Sequence, residues 1–232
     1  MEATLKVENV CPLCQGYKHL NPRLPDGRVD YTRLIPCDCY LLEYEENKKQ
    51  ALLKYCVMPE GAGKMTFETY KIYPELKAAY EMAKTMANNP GTMSWASFIG
   101  GNGTGKTHLG VAICKAWLAA GIPARYALVS VLLEELRQGF NKETSDYDAK
   151  FKYYCEVPLL MLDDYGIQSN TGWVKEKLDT IIDCRLMNGV SLIVTSNLTL
   201  DEMPDRVRSR LLRPTNSNII AMIAPDYSLR SK

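Results

Sequence analysis

Three groups of side chains in this sequence have the types and spacing to do chemistry. The first is the run Gly100-Gly101-Asn102-Gly103-Thr104-Gly105-Lys106-Thr107-His108, which fits G-x-x-x-x-G-K-[ST] from Gly100 onward. Glycines let a backbone turn tightly and aim its N–H groups at one point, a cradle for phosphate. Lys106 has the reach to meet β- and γ-phosphates, and the Thr107 hydroxyl can ligate Mg²⁺. His108 follows in the first turn of the expected helix and reads as structural rather than catalytic, although it belongs to the same nucleotide-binding run. The second group is Asp163-Asp164, closing the apolar run VPLLML. One carboxylate at the end of a buried strand suits Mg²⁺ coordination through water, and a second beside it can orient and polarise an attacking water. The third is Cys11-Pro-Leu-Cys14 with Cys37-Asp-Cys39, the spacing of a four-thiolate zinc site.

These groups need elements to hold them. Trp95–Ile99 reads as a short buried strand, and Leu109–Ala120 as the helix behind the glycine loop. A helix N-terminus at that point adds partial positive charge, which favours a bound phosphate. Further strands are expected at Pro123–Val129, Val157–Leu162, Gly189–Thr195 and Ser217–Ile223, with helices at Ser130–Phe140 (Ser130 as N-cap), Trp173–Met187 and the Arg206–Arg208–Arg210 stretch. Strands alternating with helices predict an α/β fold, a parallel five-stranded sheet covered by helices on both faces, with ligand at the carboxyl edge of the strands. Asn197 then falls just past the fourth strand, where an amide can contact a γ-phosphate or its water. Asn is also common in turns on conformational grounds alone.

The sequence divides into three parts. Residues 1–55 hold the cysteines in a turn-rich segment with few core residues, followed by a charged helix over Tyr40–Tyr55. A segment so poor in core needs a staple, and Zn²⁺ on Cys11, Cys14, Cys37 and Cys39 provides one. The CxC pair is less usual than CxxC, which leaves His19 as a substitute ligand for one cysteine. Four ligands make a closed, structural site. Residues 56–93 form a connector, with breakers at Met58–Gly63 and Asn88–Gly91 around an amphipathic helix from Pro74 to Met86. It reads as a packing arm whose aromatics could flank a base. Residues 94–232 carry the phosphate loop and the sheet.

With 232 residues the chain allows one α/β domain and a small appendage. A net charge of +1 gives no general attraction to nucleic acid or anionic membrane, so DNA contact requires a local patch or assembly of subunits. No membrane-length apolar run and no signal-peptide h-region are present, which predicts a cytoplasmic protein. Cysteines in that reducing compartment act as ligands or buried thiols. Cys56, Cys114, Cys155 and Cys184 lack ligand spacing and are expected to fill core space.

Together GGNGTGKTHL, VPLLMLDDYG, LIVTSN and RVRSRL, with the CxxC…CxC module, resemble an AAA+ ATPase of the bacterial and phage replicative helicase-loader family. These are the DnaC/DnaI-like proteins, with the transposition helper IstB as a near cousin. The resemblance implies that Lys106 and Thr107 are Walker A residues, Asp163 and Asp164 the Walker B acids, and Asn197 sensor 1. It further implies that Arg210 is an arginine finger acting on a neighbouring subunit, and that Arg230, in the segment DYSLR, is sensor 2. Only nine residues follow Ile223, which matches loaders that have no C-terminal helical lid. Asp164 in place of Glu is one methylene shorter and implies slow, regulatory hydrolysis.

The resemblance therefore implies ATP-dependent delivery of a DnaB-type replicative helicase onto single-stranded DNA. It implies a zinc module that holds the helicase, and ATPase domains that assemble as a ring or spiral. An IstB-like helper is the alternative in the same fold, although that branch resembles the ATPase domain without a zinc appendage. A non-hydrolysing ATP-dependent adaptor fits the same motifs. A nucleoside kinase would need an acceptor pocket and an arginine-bearing lid, which the sequence does not display.

Overall fold

The computed structural model describes residues 10–53, 56–140, 146–166 and 171–227. The chain divides into two compact units, Met1–Ala51 and Leu52–Lys232. In the first, β1 (His19–Leu20) pairs antiparallel with β2 (Ile35–Pro36), and α1 (Asp38–Leu53) begins between the last two of its cysteines.

The second unit holds the glycine loop and the acidic pair. Short 3₁₀ turns at Glu60–Lys64 and Pro74–Leu76 lead into α2 (Lys77–Asn88). Then follow β3 (Trp95–Ile99), α3 (Lys106–Ala119), β4 (Ala124–Leu128), α4 (Val129–Phe140), α5 (Asp146–Glu156) and β5 (Leu159–Tyr165). The remaining elements are α6 (Gly172–Asn188), β6 (Ser191–Ser196), α7 (Asp205–Leu212) and β7 (Ser217–Ala221). The five strands β3 to β7 are parallel in the order β4-β5-β6-β3-β7. Every residue of β3 and β6 is buried, because both lie inside the sheet with helices on each face. The outer strands β4 and β7 are only partly buried.

Alternation along the strands sorts the core into two layers. Trp95, Ile99, Leu160, Leu162, Leu192 and Val194 pack with Leu132, Leu136, Leu178 and Ile181 on one face. Ala96, Phe98, Leu159, Met161 and Ile193 pack with Ala83, Ile113 and Trp117 on the other. Both buried indoles find acceptors, Trp95 at the Val190 carbonyl (2.9 Å) and Trp117 at the Met86 carbonyl (3.0 Å). Cys114 and Cys155 are buried in these layers, while Cys56 and Cys184 are partly buried.

Some boundaries differ from the sequence reading. The loop helix starts at Lys106, three residues before Leu109, because the phosphate loop itself winds into the first turn. Ser130 lies inside α4, whose first residue is Val129, so it does not cap that helix. Helix α5 has no counterpart among the elements expected from the sequence. Its apolar positions are mostly tyrosines among charges, yet Tyr147 stacks on Phe151 (5.9 Å between ring centres) and Tyr154 is buried.

Arg185, on the last turn of α6, is fully buried at the end of the sheet where β5 and β6 begin. It donates to the carbonyls of Tyr154 (2.7 Å), Val157 (2.8 Å) and Ser191, tying α5 to both strand starts. Replacing it by Leu leaves these acceptors without that donor, at about 1–3 kcal/mol for each one left unsatisfied. Even at about 1 kcal/mol for each of the three acceptors, we predict that Arg185→Leu lowers the thermal midpoint by at least about 6–12 °C, at the usual 2–4 °C per kcal/mol for a domain of this size. Thermal unfolding by circular dichroism measures this, and an unchanged midpoint refutes it.

Candidate functional site

The glycine loop leaves β3 at the tip of the sheet. Gly100 donates to the Ser196 carbonyl at 3.1 Å, and the Met222 amide donates to the Ile99 carbonyl at 2.6 Å, so the chain exits between two neighbouring backbones. A Cβ on Gly100 would sit 2.3 Å from the Met222 carbonyl oxygen. Gly105 caps the helix at φ +88°, the left-handed region that a side chain disfavours. Between them Thr104 is buried, and its hydroxyl donates to the Gly101 carbonyl at 3.0 Å.

Lys106 is buried and donates to the carbonyls of Gly100 (2.7 Å) and Gly101 (2.6 Å) and to Asn197 Oδ1 (2.8 Å). Burial lowers its ammonium below the usual lysine range, while Asp164 and Asp163 pull the other way. Thr107 donates to Asp163, 2.9 Å to Oδ1 and 3.2 Å to Oδ2. Asp163 also accepts from Tyr126 (2.9 Å) and Thr195 (2.6 Å). The backbone then turns sharply. Asp164 has φ +57°, and the pairing of β5 with β6 shifts register between Leu162 and Tyr165. This bulge re-aims the second carboxylate, and Asp164 lines the pocket. Burial pushes its carboxyl above the ordinary range, Asp163 adds to the rise and Lys106 offsets part of it.

The structure therefore brings Lys106, Thr107, Asp163, Asp164 and Asn197 together at the carboxyl edge of the sheet. A pocket of about 720 Å³ opens there, lined by Asn102 to His108 together with Asp164 and Asn197. Thr107 and Asp163 are the pair that could hold a divalent cation, a hydroxyl beside a carboxylate. The ring of His108 points away from this chemistry. Its Nε2 lies 2.7 Å from the Thr66 carbonyl and its ring meets Tyr70 edge-on at 5.2 Å.

Other walls come from residues outside the phosphate loop and the acidic pair. Met65, Tyr70, Lys71, Tyr73 and Leu76 line one side, and Pro225, Asp226 and Tyr227 another. Tyr70 is a strut as much as a lining residue, since its hydroxyl donates to the Thr104 carbonyl (3.4 Å) and its ring stacks on Tyr80. Lys71 lies 5.2 Å over the Tyr227 ring, and the Tyr227 amide donates to the Gly103 carbonyl at 3.0 Å. The sequence signals for these walls were the aromatics of the connector and the DYSLR segment that the family resemblance marked. The roles of Tyr126 and Thr195 gave none.

Arg210 stands apart from this pocket. Its guanidinium is paired with Asp183 on α6, which also accepts from Arg206 (2.7 Å), and Arg208 pairs with Asp205 (2.6 Å). Arg230 lies outside the described residues.

In the first unit the sulfurs of Cys11, Cys14, Cys37 and Cys39 all lie within 4.8 Å of one another. Cys11 and Cys37 are 3.9 Å apart, and Cys14 and Cys39 3.4 Å. A tetrahedron of metal–sulfur bonds near 2.3 Å puts sulfurs about 3.8 Å apart, so the four thiols fit a closed metal site. His19 is not in this group, and its ring packs against Tyr40 at 5.5 Å. Among the described residues, no helix is long and apolar enough to cross a membrane.

The chain is 29% identical over 164 residues to the chromosomal replication initiator DnaA of Bordetella pertussis, covering 69% of this chain and 34% of that protein. It is 24% identical over 149 residues to the replicative helicase loader DnaC of Escherichia coli, covering 63% of this chain and 61% of the relative. The chain thus spans about a third of the DnaA relatives' length. Among solved structures, DnaI superposes with a TM-score of 0.61 at 22% identity, covering 77% of this chain and 98% of that one. AMPPCP-bound DnaA from Aquifex aeolicus superposes at 0.61 and 23% identity, covering 68% and 50%. The profile of the IstB-like ATP binding protein family matches residues 92–211, more than half of the chain. That stretch begins just before β3 and ends within α7, so it takes in the glycine loop, both acids and Asn197. This chain belongs to the IstB-like ATP-binding family, with the AAA+ P-loop fold of DnaC and DnaI.

Proposed function

We propose that this chain loads a ring-shaped DnaB-type replicative helicase onto single-stranded DNA in the cytoplasm, with Mg²⁺·ATP binding and slow hydrolysis as its switch. The observation that carries the reading is its similarity to the E. coli replicative helicase loader. In this reading Gly100 to His108 cradle the triphosphate, Lys106 meets the β- and γ-phosphates, and Thr107 with Asp163 hold Mg²⁺. When bound, the cation neutralises charge on the phosphate oxygens. Asp164 accepts a hydrogen bond from the attacking water and orients it, and Asn197 senses the γ-phosphate. The shorter reach of Asp164 relative to Glu suits slow turnover.

Arg210 supplies positive charge to the γ-phosphate of a neighbouring subunit, so hydrolysis requires a ring or spiral. Its place outside its own chain's pocket supports action in trans. Arg230 is the sensor-2 candidate. The first unit, with Zn²⁺ on Cys11, Cys14, Cys37 and Cys39, holds the helicase, and its exposed Leu13, Tyr17, Tyr31, Leu34 and Leu42 offer apolar contact. The family match also supports a second reading, a transposition helper acting with a transposase. Co-purification of the tagged full chain with the replicative helicase from the same source, with and without ATP, separates them. Retention of the helicase in both conditions supports loading. Its absence, with a transposase retained instead, supports the helper.

Two further outcomes follow from this division of roles. Metal analysis of protein purified without chelator should find about one zinc per chain, as a single four-thiolate site requires, and a zinc-free folded protein refutes the metal. Arg210→Ala should keep ATP binding and lose hydrolysis by roughly 10³- to 10⁵-fold, the usual contribution of an arginine finger. Mixed with Lys106→Ala subunits it should recover part of the activity, because a composite site is intact wherever the phosphate loop of an Arg210→Ala subunit meets the arginine of a Lys106→Ala subunit. Steady-state ADP release measures this. A mixture that co-assembles yet stays inactive refutes the assignment.

A further inference from the structure

Asp163 is only 3% exposed, yet no cationic side chain donates to it among the described residues. Three hydroxyls do, each from a different element. Thr195, on β6, donates to Oδ1 at 2.6 Å. Tyr126, on the edge strand β4, donates to Oδ2 at 2.9 Å. Thr107 shares its single proton between the two oxygens. A carboxylate only accepts, so the direction of each bond is settled. Burial, with Asp163 beside it, pushes the Tyr126 phenol well above its ordinary range, and it keeps its proton to donate.

We infer that Tyr126 and Thr195 are positioning residues of the nucleotide site, holding Asp163 from the two strands that flank β5. The inference rests on the reading that Mg²⁺·ATP occupies this pocket. Thr107 has one proton and two acceptors, so it alone leaves the carboxylate free to turn about its Cβ–Cγ bond. Tyr126 and Thr195 remove that freedom, one oxygen each. Their bonds persist when Thr107 turns its oxygen toward a cation, so the free lone pairs of Asp163 keep one direction. Thr195 has a second task. Its hydroxyl accepts from the Asp164 amide at 3.0 Å, which pins the bulge that sends Asp164 into the pocket. One side chain thus couples the direction of the cation ligand to that of the acid beside it.

Neither residue lines the pocket, so both act on the ligand through Asp163. Loss of an outer-shell hydrogen bond to a metal ligand ordinarily weakens metal affinity by about 10- to 100-fold. A merely structural role would instead weaken the fold, and with it nucleotide binding in the presence and absence of metal alike. Fluorescence titration of the full chain with a mant-labelled ATP, across Mg²⁺ concentrations and in EDTA, tells these apart. Wild-type protein must first bind the nucleotide more tightly with Mg²⁺. If it does not, the Mg²⁺·ATP reading itself fails before any substitution is made.

Given that dependence, Tyr126→Phe should raise the half-saturating Mg²⁺ concentration about tenfold while changing the affinity in EDTA by less than about twofold. Thr195→Val should move it in the same direction, and it serves as the test variant if Tyr126→Phe does not fold. Folded variants whose Mg²⁺ dependence matches wild type overturn the proposal. So does an equal loss of affinity with and without the metal.

Discussion

The burial of one carboxylate, Asp163, constrains the whole edge of the sheet where the pocket lies. A buried acid is costly unless donors surround it. Here the donors come from α3, β4 and β6, so the carboxylate is satisfied only when three elements distant in sequence reach their final places. The strand order provides this. With β5 between β4 and β6, a side chain from each neighbour can reach the same tip, and α3 crosses above them. The same geometry aligns Lys106 with Asn197, because β3 lies next to β6. The site is therefore complete only in the folded sheet. A misplaced strand would leave a buried charge without its donors as well as a broken pocket.

The opposite end of the sheet faces a similar problem with the opposite sign. Arg185 is a buried cation that collects the carbonyls of Tyr154, Val157 and Ser191. It holds α5 and the starts of β5 and β6, the two strands whose far tips carry Asp163, Asp164 and Asn197. Rigidity at the starts limits drift at the tips, since both strands are buried and only six or seven residues long. Chemistry and anchoring are thus segregated to the two ends of the same strands.

How much of this was legible in the sequence follows from what each part depends on. The loop, the strand before it and the acidic pair depend on local chemistry, and the strand Trp95–Ile99 occupies the range its apolar run suggests. The convergence of Thr107 on Asp163 follows from the motif pair. Helix α5 was hidden because tyrosines carry its buried face, and tyrosine scores as half polar until its neighbours are known. Tyr126 and Thr195 were hidden for a different reason. A strand tyrosine or threonine ordinarily packs a sheet, and only register shows that these two meet one carboxylate. The Asp183 that holds Arg210 is likewise a matter of how α6 lies on α7.

The pocket also extends well past the phosphate loop. Its walls include connector residues from Lys64 to Leu76 and the segment Pro225–Tyr227, which a nucleotide-binding motif does not contain. These walls already touch one another and the loop. Lys71 lies over Tyr227, Tyr227 bonds to Gly103, and Tyr70 braces Thr104. A Cβ on Gly103 would lie 2.0 Å from the Asp226 carboxylate, so a side chain there requires Asp226 to move. A ligand whose phosphates take the loop must therefore settle between two segments packed against the loop backbone. The part of the site that recognises phosphate is set by the motif, whereas the part that could report occupancy is set by tertiary packing.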